Sequence, residues 1–241
     1  MKQILQNYKT GELKLEEVPI PHLKTGGVLV KNRCSLVSIG TEKSMTELAQ
    51  KSIIGKAMAR PDLVKQVIDK AKKDGIINTL NAVKNKLDIV KPLGYSCAGI
   101  VMEVGREVDE FQPNDRVACA GAGYANHADV VFVPKNLCAK IPDNVTFEDA
   151  ACATIGAVAL QGVRIANPLL GEKIAVIGLG IVGQLTVQFL RNAGCTVLGI
   201  DLDSARVDAA LKLGMNIGVS DLKEVAACVK SISRGYGMDA V

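Results

Sequence analysis

Apolar and polar positions alternate through the first forty residues, give way to a helical period, and alternate again from about residue 96. KQILQN and LKLEEV flank a YKTG turn, and GGVLVKNRCSLVS alternates long enough for an extended strand, so residues 1–38 are predicted to be β. The period then changes. Pro61 suits a first helical position, Leu63, Val64, Val67, Ile68 and Ala71 share one stripe, and Gly75 closes it. In IINTLNAVKNKLDIV the residues Ile76, Leu80, Val83 and Leu87 mark a second helix, and two helices joined by a short turn are expected to pack as a hairpin. Pro92 ends that region, and β patterns return in AGIVMEV, DRVACAG, HADVVFVP and LCAKIP. From about residue 147 the texture becomes alanine-rich helix, FEDAACATIGAVALQGVRIA, followed by the loop NPLLGE.

The clearest chemistry follows Gly171. Lys173–Ile177 is a short apolar run rich in β-branched residues, as expected of a strand covered on both faces. Gly178, Gly180 and Gly183 then spell GxGxxG, Val182, Leu185, Phe189 and Leu190 mark a helix stripe closing at Gly194, and a second strand, TVLGI, ends at Asp201. Each glycine has a physical role: Gly178 permits a sharp turn, Gly180 leaves room for a diphosphate, and Gly183 lets helix and strand pack closely. Unpaired N–H groups at the helix start, with the aligned peptide dipoles behind them, suit phosphates. Asp201 stands where a carboxylate can accept both ribose hydroxyls and would repel a 2′-phosphate, which predicts NAD in preference to NADP. The candidate cofactor residues are Gly178, Gly180, Ile181, Val182, Gly183, Asp201 and Arg206. The competing reading is a layer of this type that binds another nucleotide or none.

Further on, Ser204 is expected to cap a helix with Val207, Ala210 and Leu211 inward and Gly214 as its stop. Residues 216–219 read as a third strand, 221–233 as a third helix, and MDAV as the opening of a fourth strand. A six-stranded layer of the common order needs more elements, so the chain reads as truncated at Val241.

Composition narrows the classes. With 241 residues and 48% hydrophobic content the chain can bury a substantial core. No apolar run approaches the roughly 20 residues of a membrane span, and MKQILQNYKTGELK lacks the order of a secretory leader, so no membrane partner and a cytoplasmic location are expected. Seven cysteines without a CxxC pair signal neither a disulfide framework nor a structural zinc cluster and read as small apolar residues. The net charge of +4 is concentrated in residues 42–91, where 11 lysines and arginines face 6 acidic residues. That segment reads as a solvated helical surface or as an attraction for an anionic partner. With 3% aromatics there is little to stack on bases, and no nucleic acid is expected.

Several stretches, in order, resemble the medium-chain dehydrogenase/reductase superfamily. VLVKNRCSLVSIGTE is similar to its first substrate-domain strand and loop, GYSCAGIVMEVGREVDEFQPNDRV to its G-H-E-x-x-G-x-V-x-x-x-G-x-x-V-x-x-F-x-x-G-D-R-V pattern, and KIAVIGLGIVG to its cofactor loop. The resemblance covers all but the inserted hairpin. It implies an α/β protein: a GroES-like, β-rich substrate domain over 1–150, with a helical-hairpin insertion at about 42–92, then a partial Rossmann NAD-binding domain over 151–241 with the first three to four strands. The insert, LGYSCAG and ALQGVR at 159–164 further resemble the N-terminal half of bi-domain oxidoreductases whose second half is of the glucose-fructose oxidoreductase type. That likeness implies a C-terminal partner domain and leaves a homo-oligomer open.

The departures from the pattern concern zinc. Where zinc-dependent relatives carry a Cys, a His and a second Cys, this sequence has Ser38 or Ile39, Tyr95 and Ala153, and Cys152 beside the last position cannot close a site alone. No metal is therefore expected. His22 is placed in a turn and His127 in a β segment, each with a surface or hydrogen-bonded role. Thr41 matches the family hydroxyl that passes the alcohol proton, and Tyr95 or Ser38 could polarise a carbonyl in place of the metal; each is equally readable as structural, Thr41 as a first-turn cap. The expected activity is zinc-independent, NAD-linked hydride transfer with a small alcohol, carbonyl or activated alkene as substrate, an anionic sugar derivative among the candidates. The chain alone is expected to be inactive. The alternative is a non-catalytic cofactor-binding or assembly module of a larger protein.

Overall fold

The computed structural model describes residues 1–7, 10–42 and 90–241, which form two compact units, Met1–Ala153 and Thr154–Val241. The helical hairpin expected over 61–90 lies, as far as residue 89, outside the described residues.

Among the described residues, the first unit is built on two antiparallel sheets. In one, β1 (Lys2–Asn7) pairs with β2 (Leu13–Glu17) and with β4 (Val90–Pro92). Residues 90–92 are thus a strand, where the expected insertion ran to 92. Val90 and Lys91 find backbone partners along β1, and Pro92, with no N–H to offer, is tolerated on this edge strand while the Leu93 N–H donates to the Ile4 carbonyl at 3.1 Å. The second sheet has the order β7-β3-β5-β6-β8, from β3 (Gly27–Ser35), β5 (Ser96–Val104), β6 (Arg116–Ala120), β7 (Val130–Pro134) and β8 (Cys138–Lys140). Its inward residues, among them Val28, Val30, Val101, Val117, Val131 and Val133, are almost fully buried, and each such side chain contributes roughly 1.5–3 kcal/mol of transfer free energy.

The alanine-rich stretch after 147 is not one helix. It divides into α1 (Phe147–Ala150) and α2 (Ala153–Ala166). Ala150 and Ala151 pack onto Ala98 and Ala118, and the buried Ser96 hydroxyl donates to the Ala151 carbonyl at 2.6 Å. Ser96 thus anchors Ala151 to β5 at the point where the helical run breaks.

The second unit is a parallel layer, β11-β10-β9, from β9 (Lys173–Ile177), β10 (Thr196–Ile200) and β11 (Ile217–Val219). Ala240 adds a parallel bridge beside Ile174, the fourth strand's opening expected from MDAV. Crossovers are made by α3 (Ile181–Asn192) and α4 (Ser204–Lys212), and α5 (Leu222–Ser233) follows β11. Two helical expectations shift. In α3 the buried positions are Gly183, Val187 and Leu190, while Val182 is 41% exposed, because the first turn lies beyond the strand ends and not on the sheet. In α4 Val207 and Ala210 point inward but Leu211 is 40% exposed, and the cap is Asp203, not Ser204: its carboxylate accepts from the Ala205 N–H at 3.0 Å.

Candidate functional site

In the first unit the loop after β3 enters a helical turn at 39–42. Ser38 stands at its start, and Glu42 folds back so that Oε1 accepts the Ser38 N–H at 3.1 Å, a variant of the capping box. That turn brings together the three hydroxyls singled out in the sequence. Ser38 Oγ donates to Thr41 Oγ1 at 3.3 Å, and Thr41 Oγ1 lies 3.4 Å from the phenol oxygen of Tyr95. Both distances exceed the usual 2.7–2.8 Å of an O–H···O bond.

Behind it stands a residue whose importance sequence reasoning missed. His127 lies in a loop rather than a strand, 6% exposed, with Nδ1 2.8 Å from Ser35 Oγ and Nε2 3.3 Å from Glu42 Oε1. Its N–H donates to Leu93 O and its carbonyl accepts from Ile4. His127 therefore joins the Ser38 turn, the turn before Tyr95 and β1. Gly94 is required beside it. At φ +95° its backbone is left-handed, and a Cβ there would lie 2.7 Å from the His127 nitrogen and 2.9 Å from the ring. The other residues of LGYSCAG are structural: Ser96 holds Ala151, and Cys97 is core. His22 is exposed, as expected.

In the second unit the glycine turn follows β9. Gly178 has φ +89°, Gly180 caps α3 without a side chain, and a methyl at Gly183 would collide with the Gly178 carbonyl oxygen. The first N–H groups of α3 thus have no side-chain cap, which is the arrangement that accepts a phosphate. Ile181 and Val182 flank it, 38% and 41% exposed.

Asp201 sits at the tip of β10. Its Oδ1 accepts from the Asp203 N–H at 2.9 Å and its Oδ2 from the Leu179 N–H at 2.7 Å, with Arg206 Nη1 3.7 Å away. The Asp203 and Leu179 N–H groups, with the Arg206 guanidinium, hold the Asp201 carboxyl below the usual carboxylate range against the opposing effect of burial. A carboxylate has about four acceptor directions, so two bonds leave capacity for hydroxyl donors. Arg206 also pairs with Asp203 at 3.4 Å.

Gln184 was not foreseen. Its Nε2 donates to Leu179 O at 3.1 Å and to Arg206 O at 2.8 Å. The Leu179 peptide is thereby held at its N–H by Asp201 and at its carbonyl by Gln184. A glutamine just after GxGxxG was the available signal, and it carries no periodicity to mark it.

Among the described residues, the donor set around Ser38 does not fit a tetrahedral zinc. Zinc takes thiolate, imidazole and carboxylate ligands, whereas Ser38, Thr41 and Tyr95 offer neutral hydroxyls, and Glu42 and His127 are turned toward each other. Cys152 Sγ is directed to the Glu148 carbonyl, 3.7 Å away, and burial pushes its thiol up. Among the described residues no group of three His, Cys, Asp or Glu side chains is placed to hold an ion, and no helix is long and apolar enough to cross a membrane. The glycine turn, α3 and Asp201 do fit a dinucleotide.

A β-rich unit leading into a βαβ layer with this turn is the architecture of the medium-chain dehydrogenases and reductases, and the chain has that fold. The sequence profile of the NAD binding domain of 6-phosphogluconate dehydrogenase matches residues 173–234. D-guloside 3-dehydrogenase of Escherichia coli (strain K12) is 28% identical over 152 residues, covering 62% of this chain and 43% of that protein. Sorbitol dehydrogenase of Bacillus subtilis (strain 168) is 24% identical over 264 aligned positions, covering 96% and 65%. Galactitol-1-phosphate dehydrogenase from Escherichia coli superposes with a TM-score of 0.75 at 18% identity, over 100% of this chain and 67% of the other. The chain spans about half the length of the curated relatives it matches. It is a homologue of alcohol and polyol dehydrogenases and carries an NAD-binding domain.

Proposed function

We propose that the protein is a zinc-independent, NAD-linked oxidoreductase acting on the alcohol or carbonyl of a polyol or sugar derivative. One observation carries this reading: Tyr95 meets Ser38 and Thr41, more than fifty positions earlier in the chain, as a hydroxyl group where the family pattern would put zinc and the substrate oxygen. The names of the curated relatives, a guloside and a sorbitol dehydrogenase, support the substrate class.

In this reading the Tyr95 O–H donates to the substrate oxygen and polarises it; in carbonyl reduction Thr41 gives its proton to the developing alkoxide and regains one from Ser38, which is reprotonated by solvent, and alcohol oxidation runs the same relay in reverse. When bound, the nicotinamide supplies the hydride acceptor. The first-turn N–H groups of α3 bind the diphosphate, and Asp201 accepts the ribose hydroxyls. A carboxylate kept ionised repels a 2′-phosphate, which supports NAD over NADP.

The test is an NADH absorbance assay of the protein as encoded in full with a panel of polyols and ketoses, alongside metal analysis and calorimetric titration with both cofactors. Turnover with substoichiometric zinc is expected, and Tyr95→Phe should lower kcat by roughly 100-fold or more. Stoichiometric zinc, or full activity in Tyr95→Phe, overturns the chemistry. NAD binding without turnover would make the chain a cofactor-binding module instead, and tighter NADP binding would overturn the role of Asp201.

A further inference from the structure

Three adjacent strands bring three thiols into register. Cys97 on β5 lies opposite Cys119 on β6, and Cys119 lies opposite Cys138 on β8. The Cys119 and Cys138 sulfurs are 3.9 Å apart, and neither takes part in a disulfide. They differ in access. Cys97 and Cys119 are 0% and 2% exposed, whereas Cys138 is half-buried and lines a cavity of about 430 Å³. The lysines at that cavity are paired, Lys135 at 3.1 Å with Glu110, which lines it too, and Lys140 at 2.9 Å with Asp115.

Residues directly opposite on antiparallel strands have Cα atoms about 4.5–5.5 Å apart, inside the roughly 4.4–6.8 Å that a disulfide spans. Closing the pair therefore needs side-chain rotation and little backbone movement. The order of events follows from access: an oxidant arriving through the cavity meets Cys138 first. Cys119 is kept protonated by its thiol neighbours Cys138 and Cys97 and by burial, so it does not compete for that oxidant.

We propose that Cys138 and Cys119 form a modification site at which a hydroperoxide produces a cross-strand disulfide. The Cys138 sulfur attacks the peroxide O–O bond and becomes a sulfenic acid, while the other oxygen leaves as alcohol or water. The Cys119 sulfur then displaces hydroxide from that sulfenic acid, the S–S bond forms, and a second water is released with the thiol proton. Two thiols are oxidised by two electrons and one hydroperoxide is reduced. The staple ties β8 to the strand leading to Gly121, whose N–H holds the Tyr95 carbonyl at 2.9 Å.

The whole chain, treated with hydrogen peroxide and mapped as unreduced peptides, should give an intramolecular link between Cys119 and Cys138 that dithiothreitol removes. Cys119→Ser should instead leave a sulfenic acid on Cys138, trapped by dimedone. Cys138→Ser should abolish the link and slow loss of titratable thiol several-fold. The wild-type map decides the matter even if a variant fails to fold. A link between Cys97 and Cys119, intermolecular links alone, or over-oxidised Cys138 with Cys119 still a thiol would overturn the proposal.

Discussion

His127 Nε2 lies 3.3 Å from Glu42 Oε1, with the two side chains only 5% and 10% exposed, and that pair closes the back of the Ser38, Thr41 and Tyr95 group. Glu42 acts through the Ser38 N–H, and His127 through Ser35 and the Leu93 carbonyl. Both are positioning residues in this structure.

His127→Ala takes the imidazole from a buried carboxylate and releases two loops at once. Leaving a buried hydrogen-bonding group without its partner costs about 2 kcal/mol. In a unit of this size that lowers Tm by roughly 4–8 °C in a calorimetric scan. His127→Gln, which can still donate toward Glu42, should recover part of the loss. Equal Tm values for the alanine variant and the wild type would show that the pair supports nothing.

Gln184 joins the turn that meets the diphosphate to the backbone of Arg206. Both of its acceptors are carbonyls, so the amide nitrogen must face them, and no isostere without N–H donors can serve. Gln184→Met removes two hydrogen bonds of about 1 kcal/mol each, and part of that loss should appear as roughly tenfold weaker NAD binding by calorimetric titration. Gln184→Glu should be worse at neutral pH, since a carboxylate would face two carbonyl oxygens. Unchanged affinity in both variants, with wild type binding normally, would remove Gln184 from the site.

The glycines separate folding from binding. At Gly180 an added Cβ meets nothing within 4 Å, so Gly180→Ala should leave urea stability within about 0.5 kcal/mol while weakening NAD, because the methyl stands where the diphosphate approaches. Gly183→Ala meets the Gly178 carbonyl and should cost about 2 kcal/mol before any ligand is added. Paired urea titrations and NAD binding curves distinguish the two.

The parts legible in the sequence are those written in short repeats. The apolar run of β9, the glycines after it and the terminal Asp201 lie within thirty residues, and each is dictated by a local requirement of the backbone. Strand alternation likewise foretold β3, β5, β6 and β7. What escaped was long-range or non-periodic. His127 and Glu42 are 85 positions apart, and nothing in NHAD announces a buried imidazole. The break between α1 and α2 was hidden because alanine favours helix everywhere, and it is Ser96, from a distant strand, that takes the Ala151 carbonyl. The cap of α4 went to Asp203 over Ser204 by a single position, which propensity alone does not resolve.

Asp201 also ties stability to pH. Its carboxyl is held below the ordinary value by the Asp203 and Leu179 N–H groups and by Arg206, so in the unfolded chain it binds protons more readily than in the folded one. The sign follows: the stabilisation is complete above the unfolded pKa of about 4 and disappears as pH falls through the lower folded value. Asp201→Asn cannot accept both N–H groups equally and should be less stable than wild type near neutral pH. The gap should narrow steadily in unfolding titrations below about pH 4, where the wild-type carboxylate is itself protonated. Glu110 and Asp115, whose carboxyls are lowered by their own hydrogen bonds and lysines, titrate in both proteins and cancel in the difference. A gap that stays constant from neutral to acid pH would mean that the Leu179 and Asp203 contacts do not depend on the charge of Asp201, and that the turn before α3 is held by shape alone.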